Sequence, residues 1–289
     1  MTFLFALIRA LHFGALMVAF GGNAYLALIR KLPDARPRDS RLRVLFCSAA
    51  LVAFLTALAA LCLTAGLMSG DWHAAYDRQA VFAVVTATAY GHVFLARLPV
   101  LIALVLSSTL MKRPFAPLNA MLACASLAML ALTSHAAASD AGPSLMAAND
   151  ALHLLCAGFW IGGLTVLALT VVERRPGLLG ALGVFSLWGT YAVFLLIVAG
   201  TVNALGILHG PFAGLSRTYL TVLTAKIFLA TLMIALALAN RFRLTPAIHA
   251  GDPDGTGMLR WSVATELTVG AVVVFLAALL GLLPYGAPA

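Results

Sequence analysis

The chain has 289 residues, of which 63% are hydrophobic and 10% are charged, and its mean hydropathy is +1.02. Soluble domains carry about 25% charged residues, so this composition excludes a soluble globular protein and indicates a polytopic membrane protein. The net charge of +8 does not indicate a nucleic-acid partner, because most basic residues lie in short tracts between apolar runs.

Eight apolar runs are long enough to cross a bilayer, which takes a helix of about 20 residues. Residues 78–88 are also apolar, but together with the third run they are too long for a single crossing. They therefore predict an interfacial or re-entrant helix. The first run lacks a basic start and a cleavage site and is expected to be retained. All four cysteines lie within apolar runs, which argues against a disulfide framework. The predicted crossings are 3–29, 44–68, 90–111, 117–135, 149–172, 179–207, 219–240 and 259–283.

Basic tracts follow the first, third, fifth and seventh runs and hold most of the Lys and Arg. Loops rich in Lys and Arg stay in the cytoplasm, and eight crossings place both termini on one side. The pattern therefore predicts a multi-pass protein of the bacterial inner membrane, surrounded by lipid, with both termini in the periplasm. The tracts read RKLPDARPRDSRLR, MKRP, ERRP and NRFRLTP.

The two halves of the chain share a sequence pattern. RALHFGALMVAFGG (9–22) and DALHLLCAGFWIGG (150–163) both contain Ala-Leu-His, eight further residues and Gly-Gly, and they lie 141 residues apart. Each half has an even number of crossings, so its orientation repeats. We predict an all-α polytopic membrane protein with eight transmembrane helices as two parallel four-helix repeats, residues 1–140 and 141–289.

Histidines in the apolar runs are the first candidates for function. An ionisable side chain in a membrane segment usually faces the bundle interior and marks a functional path, and imidazole with thiol or thioether sulfur suits copper. A buried histidine can equally be a structural hydrogen-bonding residue, and Met in an apolar helix is usually filler. The predicted metal-site residues are His12, His153, His135, His92 and Cys156, with His209 at the same level and Met17, Met68 and Met146 as further sulfur donors.

One helix stripe carries Asp150, His153, Cys156 and Trp160, which are spaced three and four residues apart. Asp150 either caps its helix or fixes the tautomer of His153 through a hydrogen bond, and Trp160 is also consistent with packing alone.

The glycines of the shared pattern predict close helix packing at the seam between the halves. Gly158 and Gly162 form a small-xxx-small pattern that lets another helix approach closely. With both helices packed in this way, His12 and His153 are expected to face each other across the seam. They would then bind the same copper ion or haem as unequal ligands.

A basic residue occupies the third run of each half, seven residues after a Tyr. These residues are Arg97, after Tyr90, and Lys226, after Tyr219. A bare cation within a membrane segment costs several kcal/mol. Each therefore needs an anionic ligand, a carboxylate or a route to the membrane surface, and Asp150 and Glu266 are the candidate carboxylates.

Several motifs together resemble the CopD family of bacterial inner-membrane copper proteins. The resemblance covers nearly the whole chain, and it implies a copper transporter rather than an enzyme, working with a periplasmic copper-binding partner of the CopC type. The motifs are HLLCAGFWIGGL (153–164), SHAAA (134–138), VAGTVNA (198–204), Tyr219 with Lys226, ANRFRLTP (239–246) and the run from Glu266 to Pro284.

Each half also resembles, more faintly, the four-helix HemJ-type protoporphyrinogen oxidases, which pair a first-helix His with a third-helix Lys. His12 with Arg97 and His153 with Lys226 would be the two copies. This resemblance implies the alternative function, a b-type haem redox protein with bis-His ligation and basic residues at the propionates.

Overall fold

The computed structural model describes residues 2–110, 116–134, 143–207 and 216–283. These residues form helices joined by turns, and eight of the helical spans are long and apolar enough to cross a membrane. The helices are α1 (Thr2–Leu28), α2 (Asp39–Ser69), α3 (Arg78–Ala87), α4 (Ala89–Leu110), α5 (Ala116–Ala128, continued by a 3₁₀ segment Met129–Thr133), α6 (Pro143–Val172), α7 (Leu178–Ile207), α8 (Arg217–Ala239, continued by a π-helical turn Asn240–Leu244), α9 (Thr245–His249) and α10 (Gly255–Leu280).

The eight predicted crossings are confirmed, and the short helix α3 forms within residues 78–88, while its interfacial or re-entrant position stays a prediction. In a bilayer core every backbone polar group must be paired internally, so apolar runs of this length fold as helices. One boundary differs, because α6 begins at Pro143 rather than near residue 149. Proline fits the first turn of a helix, where its missing N–H would have no partner. Asp150 therefore lies inside α6, and its interpretation as a helix cap is wrong.

The first and third basic tracts meet on one face of the molecule. The backbone N–H of Gly177 donates to the carbonyl of Asp34 at 3.2 Å. Glu173 accepts a hydrogen bond of 2.9 Å from the Arg38 backbone N–H and forms an ion pair of 3.4 Å with Arg41. We call this the inner face, and the opposite one, where α1 begins and α10 ends, the outer face.

Helices α1 and α6 pack backbone to backbone in the middle of the molecule. A methyl group added at Gly21 would collide with the carbonyl of Gly158, and one added at Gly162 would collide with the carbonyl of Met17. The close approach predicted from Gly158 and Gly162 is thus confirmed. This seam joins the two halves.

The two halves pack their outer helices differently. In the first half α2 packs against α4, which in turn packs against α5. In the second half α7 packs mainly on α6, and α8 packs mainly on α10, while α7 and α8 hardly touch within the described residues. The second half is therefore the more loosely assembled one, and it leaves space between its helices.

Candidate metal-binding site

His12 is buried and both of its ring nitrogens are occupied by protein groups. Nδ1 lies 2.9 Å from the carbonyl oxygen of Ala53, and Nε2 lies 2.6 Å from Nη2 of Arg97. A guanidinium can only donate and a carbonyl can only accept. The ring is therefore neutral, with its proton on Nδ1 and its Nε2 lone pair facing Arg97. In this arrangement neither nitrogen is free for a metal.

His153 has a different environment in the second half. Its ring lies against Gly200 of α7, where an added methyl group would stand 3.1 Å from Cε1 and 3.4 Å from Nδ1. The backbone of Leu196 hydrogen-bonds the ring, and the charge of Lys226 also acts on it. Nδ1 is buried and has no hydrogen-bond partner among the residues that the structure describes. Buried polar atoms are nearly always paired, so this atom is a candidate ligand.

Polar side chains continue from His153 toward the outer face. Nδ2 of Asn149 donates to the carbonyl of Ala199 at 2.9 Å and to Oδ1 of Asn203 at 2.7 Å. Nδ2 of Asn203 donates to Oδ1 of Asp150 at 3.2 Å, and Ser134 hydrogen-bonds the same carboxylate. Asp150 is thus held beside α7 and points to the side of α6 that carries His153.

One sulfur atom lies on the same side of α6. The thioether of Met146 lies near Gly206, where an added methyl group would stand 3.5 Å from Sδ. Residues 146, 149, 150 and 153 follow helical spacing of three and four. We call Met146, Asn149, Asp150, His153 and Asn203 together the α6 cluster.

Lys226 contributes the positive charge of this region. Its charge acts on both Asp150 and His153. Of the partners considered for Lys226, the carboxylate of Asp150 is thus the one the structure brings within electrostatic reach. Arg97, the sequence counterpart of Lys226, instead donates a hydrogen bond to the neutral ring of His12.

The two histidines do not meet at the seam as predicted. His12 contacts α2 and α4 of the first half, whereas His153 contacts α7 and lies within reach of Lys226 on α8. In each helix the histidine lies nine residues before the first glycine of the Gly-Gly pair, and nine residues make two and a half turns. The imidazole therefore points away from the face that packs at the glycines, into its own half.

The other predicted ligands that the structure describes do not belong to the α6 cluster. His92 is exposed, and its Nε2 donates to the carbonyl of Thr86 at 3.0 Å. Cys156 is a buried free thiol one turn along α6 from His153. His135 falls outside the described residues. Among the residues that are described, no three His, Cys, Asp or Glu side chains converge as a preformed metal site.

Trp160 and Glu266 form a second polar contact deeper in the second half. The indole Nε1 of Trp160 donates to Oε1 of Glu266 at 2.8 Å, and Nδ2 of Asn240 donates to Oε2 at 3.1 Å. Glu266 is only 1% exposed, and both donors are neutral. Glu266 thus accepts hydrogen bonds from Trp160 and Asn240, and not from Arg97 or Lys226 as predicted.

A cavity of about 140 Å³ begins at this contact and extends toward the inner face. Apolar side chains of α6, α7, α8 and α10 line most of it. Its polar groups include Glu266, Asn240, Thr190 and Arg241, whose Nη1 donates to Oγ1 of Thr190 at 2.5 Å. The sequence did not indicate the contact of Asn240 with Glu266 or this cavity, because both depend on how distant helices pack.

Comparison with known proteins gives a consistent family. The copper resistance protein D-like N-terminal domain matches residues 1–145, and the copper resistance protein D domain matches residues 179–280. The chain is 32% identical over 260 residues to copper resistance protein D of Pseudomonas syringae pv. tomato, which covers 83% of each chain.

A second relative covers the full length. The chain is 28% identical over 288 residues to the inner membrane protein YebZ of Escherichia coli (strain K12), covering 98% of this chain and 99% of that protein. No solved structure matches at a significant level. Together with the eight apolar helices, these relatives support a multi-pass inner-membrane protein of copper resistance. The chain belongs to the copper resistance protein D (CopD) family.

Proposed function

We propose that the protein carries copper across the inner membrane and that the ion first binds at the α6 cluster, with His153 as its main ligand. The observation that carries this proposal is the buried, unpartnered Nδ1 of His153. It lies on the same side of α6 as the thioether of Met146 and the carboxylate of Asp150. No other histidine in the described part of the chain combines a buried free nitrogen with a neighbouring sulfur and carboxylate.

The ligand types suit copper as cargo. Imidazole and thioether are ligands that Cu(I) accepts readily, and a carboxylate adds charge compensation. The three side chains need only small rotations to converge, because they lie on one side of one helix. A site assembled by the arriving ion, rather than preformed, also suits a protein that must release its cargo.

Local charge favours the second half over the first. Asp150 and Lys226 together contribute no net charge beside His153. In the first half, Arg9 and Arg97 both act on His12, and among the described residues neither forms an ion pair with an acid. Two unit charges at close range inside a membrane repel a third strongly. A cation therefore binds more easily at His153 than at His12.

The onward path of the ion runs through the loosely packed second half. From His153 it passes Cys156, one turn further along α6, and reaches the contact between Trp160 and Glu266. The cavity beyond that contact opens toward Arg241 and the inner face. We propose that the buried Glu266 carboxylate compensates the charge of the ion at this midpoint.

Membrane orientation and the partner protein are parts of the same proposal. We place the inner face in the cytoplasm and both termini in the periplasm, because the inner face gathers the Lys and Arg. The α6 cluster then opens to the periplasm, where a copper-binding protein of the CopC type could deliver the ion.

Bis-His haem ligation, the alternative, is less compatible with the geometry. Haem iron would need an unprotonated nitrogen from each of two facing histidines. His12 and His153 face different halves, and Arg97 already occupies Nε2 of His12. The absorption spectrum of the purified protein distinguishes the two functions, and we expect it to lack a Soret band.

The direct test replaces each histidine by glutamine, which keeps similar volume and polarity. We expect His153→Gln to lose most of its bound copper and its effect on copper-dependent growth, because the main ligand is gone. His12→Gln is the matched control, and it should keep its copper stoichiometry while losing thermal stability. Full copper content in His153→Gln, or equal loss in both variants, would contradict the proposal.

A further inference from the structure

Arg97 is a buried cation without an acidic partner in the described part of the chain. It lies in a membrane-spanning helix and is only 5% exposed. Its Nη2 donates to the neutral ring of His12 and its Nε has no partner. Within the described residues no carboxylate lies within 4.0 Å of this guanidinium. A charge in this position is costly unless something of opposite sign accompanies it.

A second arginine lies beside the first, and its stabilising contacts among the described residues are a carbonyl and the ring of Phe13, whose centroid is 5.6 Å from Cζ. Arg9 lies on α1 one turn before His12, and its Nη1 donates to the carbonyl of Gly281 at 3.3 Å. It too has no carboxylate within 4.0 Å among the described residues. The charges of Arg9 and Arg97 both act on His12 and on the phenol of Tyr90. The first half therefore gathers two positive charges beside a phenol that is hydrogen-bonded to Thr64.

The second half has a carboxylate at the place where the first half has Arg9. In the shared sequence pattern Arg9 occupies the place of Asp150, just as Arg97 occupies the place of Lys226. Asp150 supplies the negative charge that acts on Lys226. Exchanging this acid for Arg9 removes the anion from the first half and adds a cation.

We propose that Arg9 and Arg97 bind an oxyanion, a phosphate group, that takes the place of the Asp150 carboxylate. Guanidinium groups present several N–H donors in a plane that fits phosphate oxygens. The contact of Arg9 with Gly281, at the end of α10, places it near the outer face, where the headgroup phosphate of a phospholipid is at hand. Free phosphate has the same chemistry and is the other source.

The test uses delipidated full-length protein in detergent and follows its thermal unfolding. The probes are inorganic phosphate compared with chloride at equal ionic strength, and phosphatidylglycerol compared with diacylglycerol, which has the same chains without phosphate. When the anion is present at ten times its Kd, its binding should raise Tm by about 2–3 °C. A rise with phosphatidylglycerol alone identifies a lipid headgroup, and a rise with inorganic phosphate shows that the free ion suffices.

Three variants tie the effect to the site. Arg9→Asp supplies the missing carboxylate, so it should be at least as stable as the natural protein without phosphate and should no longer respond to it. Arg97→Met should also lose the response. Arg78→Met removes an exposed arginine of the same half and should keep it. An equal response in Arg9→Asp, or no response in the natural protein, would overturn the proposal, whatever the outcome for copper.

Discussion

Gly200→Ala should weaken copper binding without removing any ligand. The new Cβ would stand 3.1 Å from Cε1 of His153, whereas carbon atoms in ordinary contact are about 3.5 Å apart or more. The imidazole must therefore give way by about 0.4 Å, and the added methyl group hinders the rotation that would bring Nδ1 toward the Met146 thioether and the Asp150 carboxylate. A side chain pushed off its rotamer by such a contact loses about 1 kcal/mol, so we expect copper affinity to fall about five-fold.

Competition with a chelator of known affinity measures this change in the purified protein. Gly189→Ala is the matched control on the same helix, because its added Cβ would meet only Phe185, at 3.9 Å. Both variants carry the same gain in helix propensity, so the difference between them isolates the contact with His153. Equal affinities in Gly200→Ala, Gly189→Ala and the natural protein would refute the assignment of His153 as a ligand in this position.

Three further predictions concern the packing and the topology. Trp160→Phe removes one donor from the buried carboxylate of Glu266, so we expect it to destabilise the protein by about 1–3 kcal/mol in thermal unfolding, and no change would argue against this contact. Gly162→Ala should sharply reduce the yield of folded protein in detergent, because the methyl group collides with the α1 backbone, whereas Gly183→Ala has open space and should be neutral. Single cysteines in the 30–43 loop of a cysteine-free variant should resist impermeant thiol reagents in intact cells, and labelling there would reverse the proposed orientation.

The crossings were predictable because the bilayer core admits few backbone conformations. A run of about 20 apolar residues must pair its backbone internally, so hydropathy alone located the eight helices. Helix ends depend on weaker local effects. The acid Asp150 suggested a start near residue 149, but the chain continues the helix back to Pro143, because small and apolar residues before Asn149 extend it without cost.

The orientation of the histidines follows from their spacing to the glycines, and it differs from the predicted meeting at the seam. The Gly-Gly pair correctly indicated the seam between α1 and α6. Gly21 lies nine positions after His12, and Gly162 lies nine positions after His153. That spacing puts histidine and glycine on opposite sides of a helix. The same periodicity that predicted the seam therefore excludes the imidazoles from it.

Contacts between distant helices could not be read from the sequence. The Asn240 amide reaches Glu266 from the π-helical turn that ends α8, and nothing in the local pattern fixes that register. The difference between His12 and His153 is of the same kind. Arg97 reaches the first ring directly, while the matching Lys226 stands near Asp150 and leaves the second ring with a free nitrogen.

The most direct test of the copper site is X-ray absorption at the copper edge of the loaded, purified protein. The proposed binding mode predicts one imidazole nitrogen and one sulfur among the ligands, with the imidazole contribution lost in His153→Gln and the sulfur contribution lost in Met146→Leu. His12→Gln should leave the spectrum unchanged. Two imidazoles in the natural protein, or an unchanged spectrum in His153→Gln, would contradict copper binding at the α6 cluster.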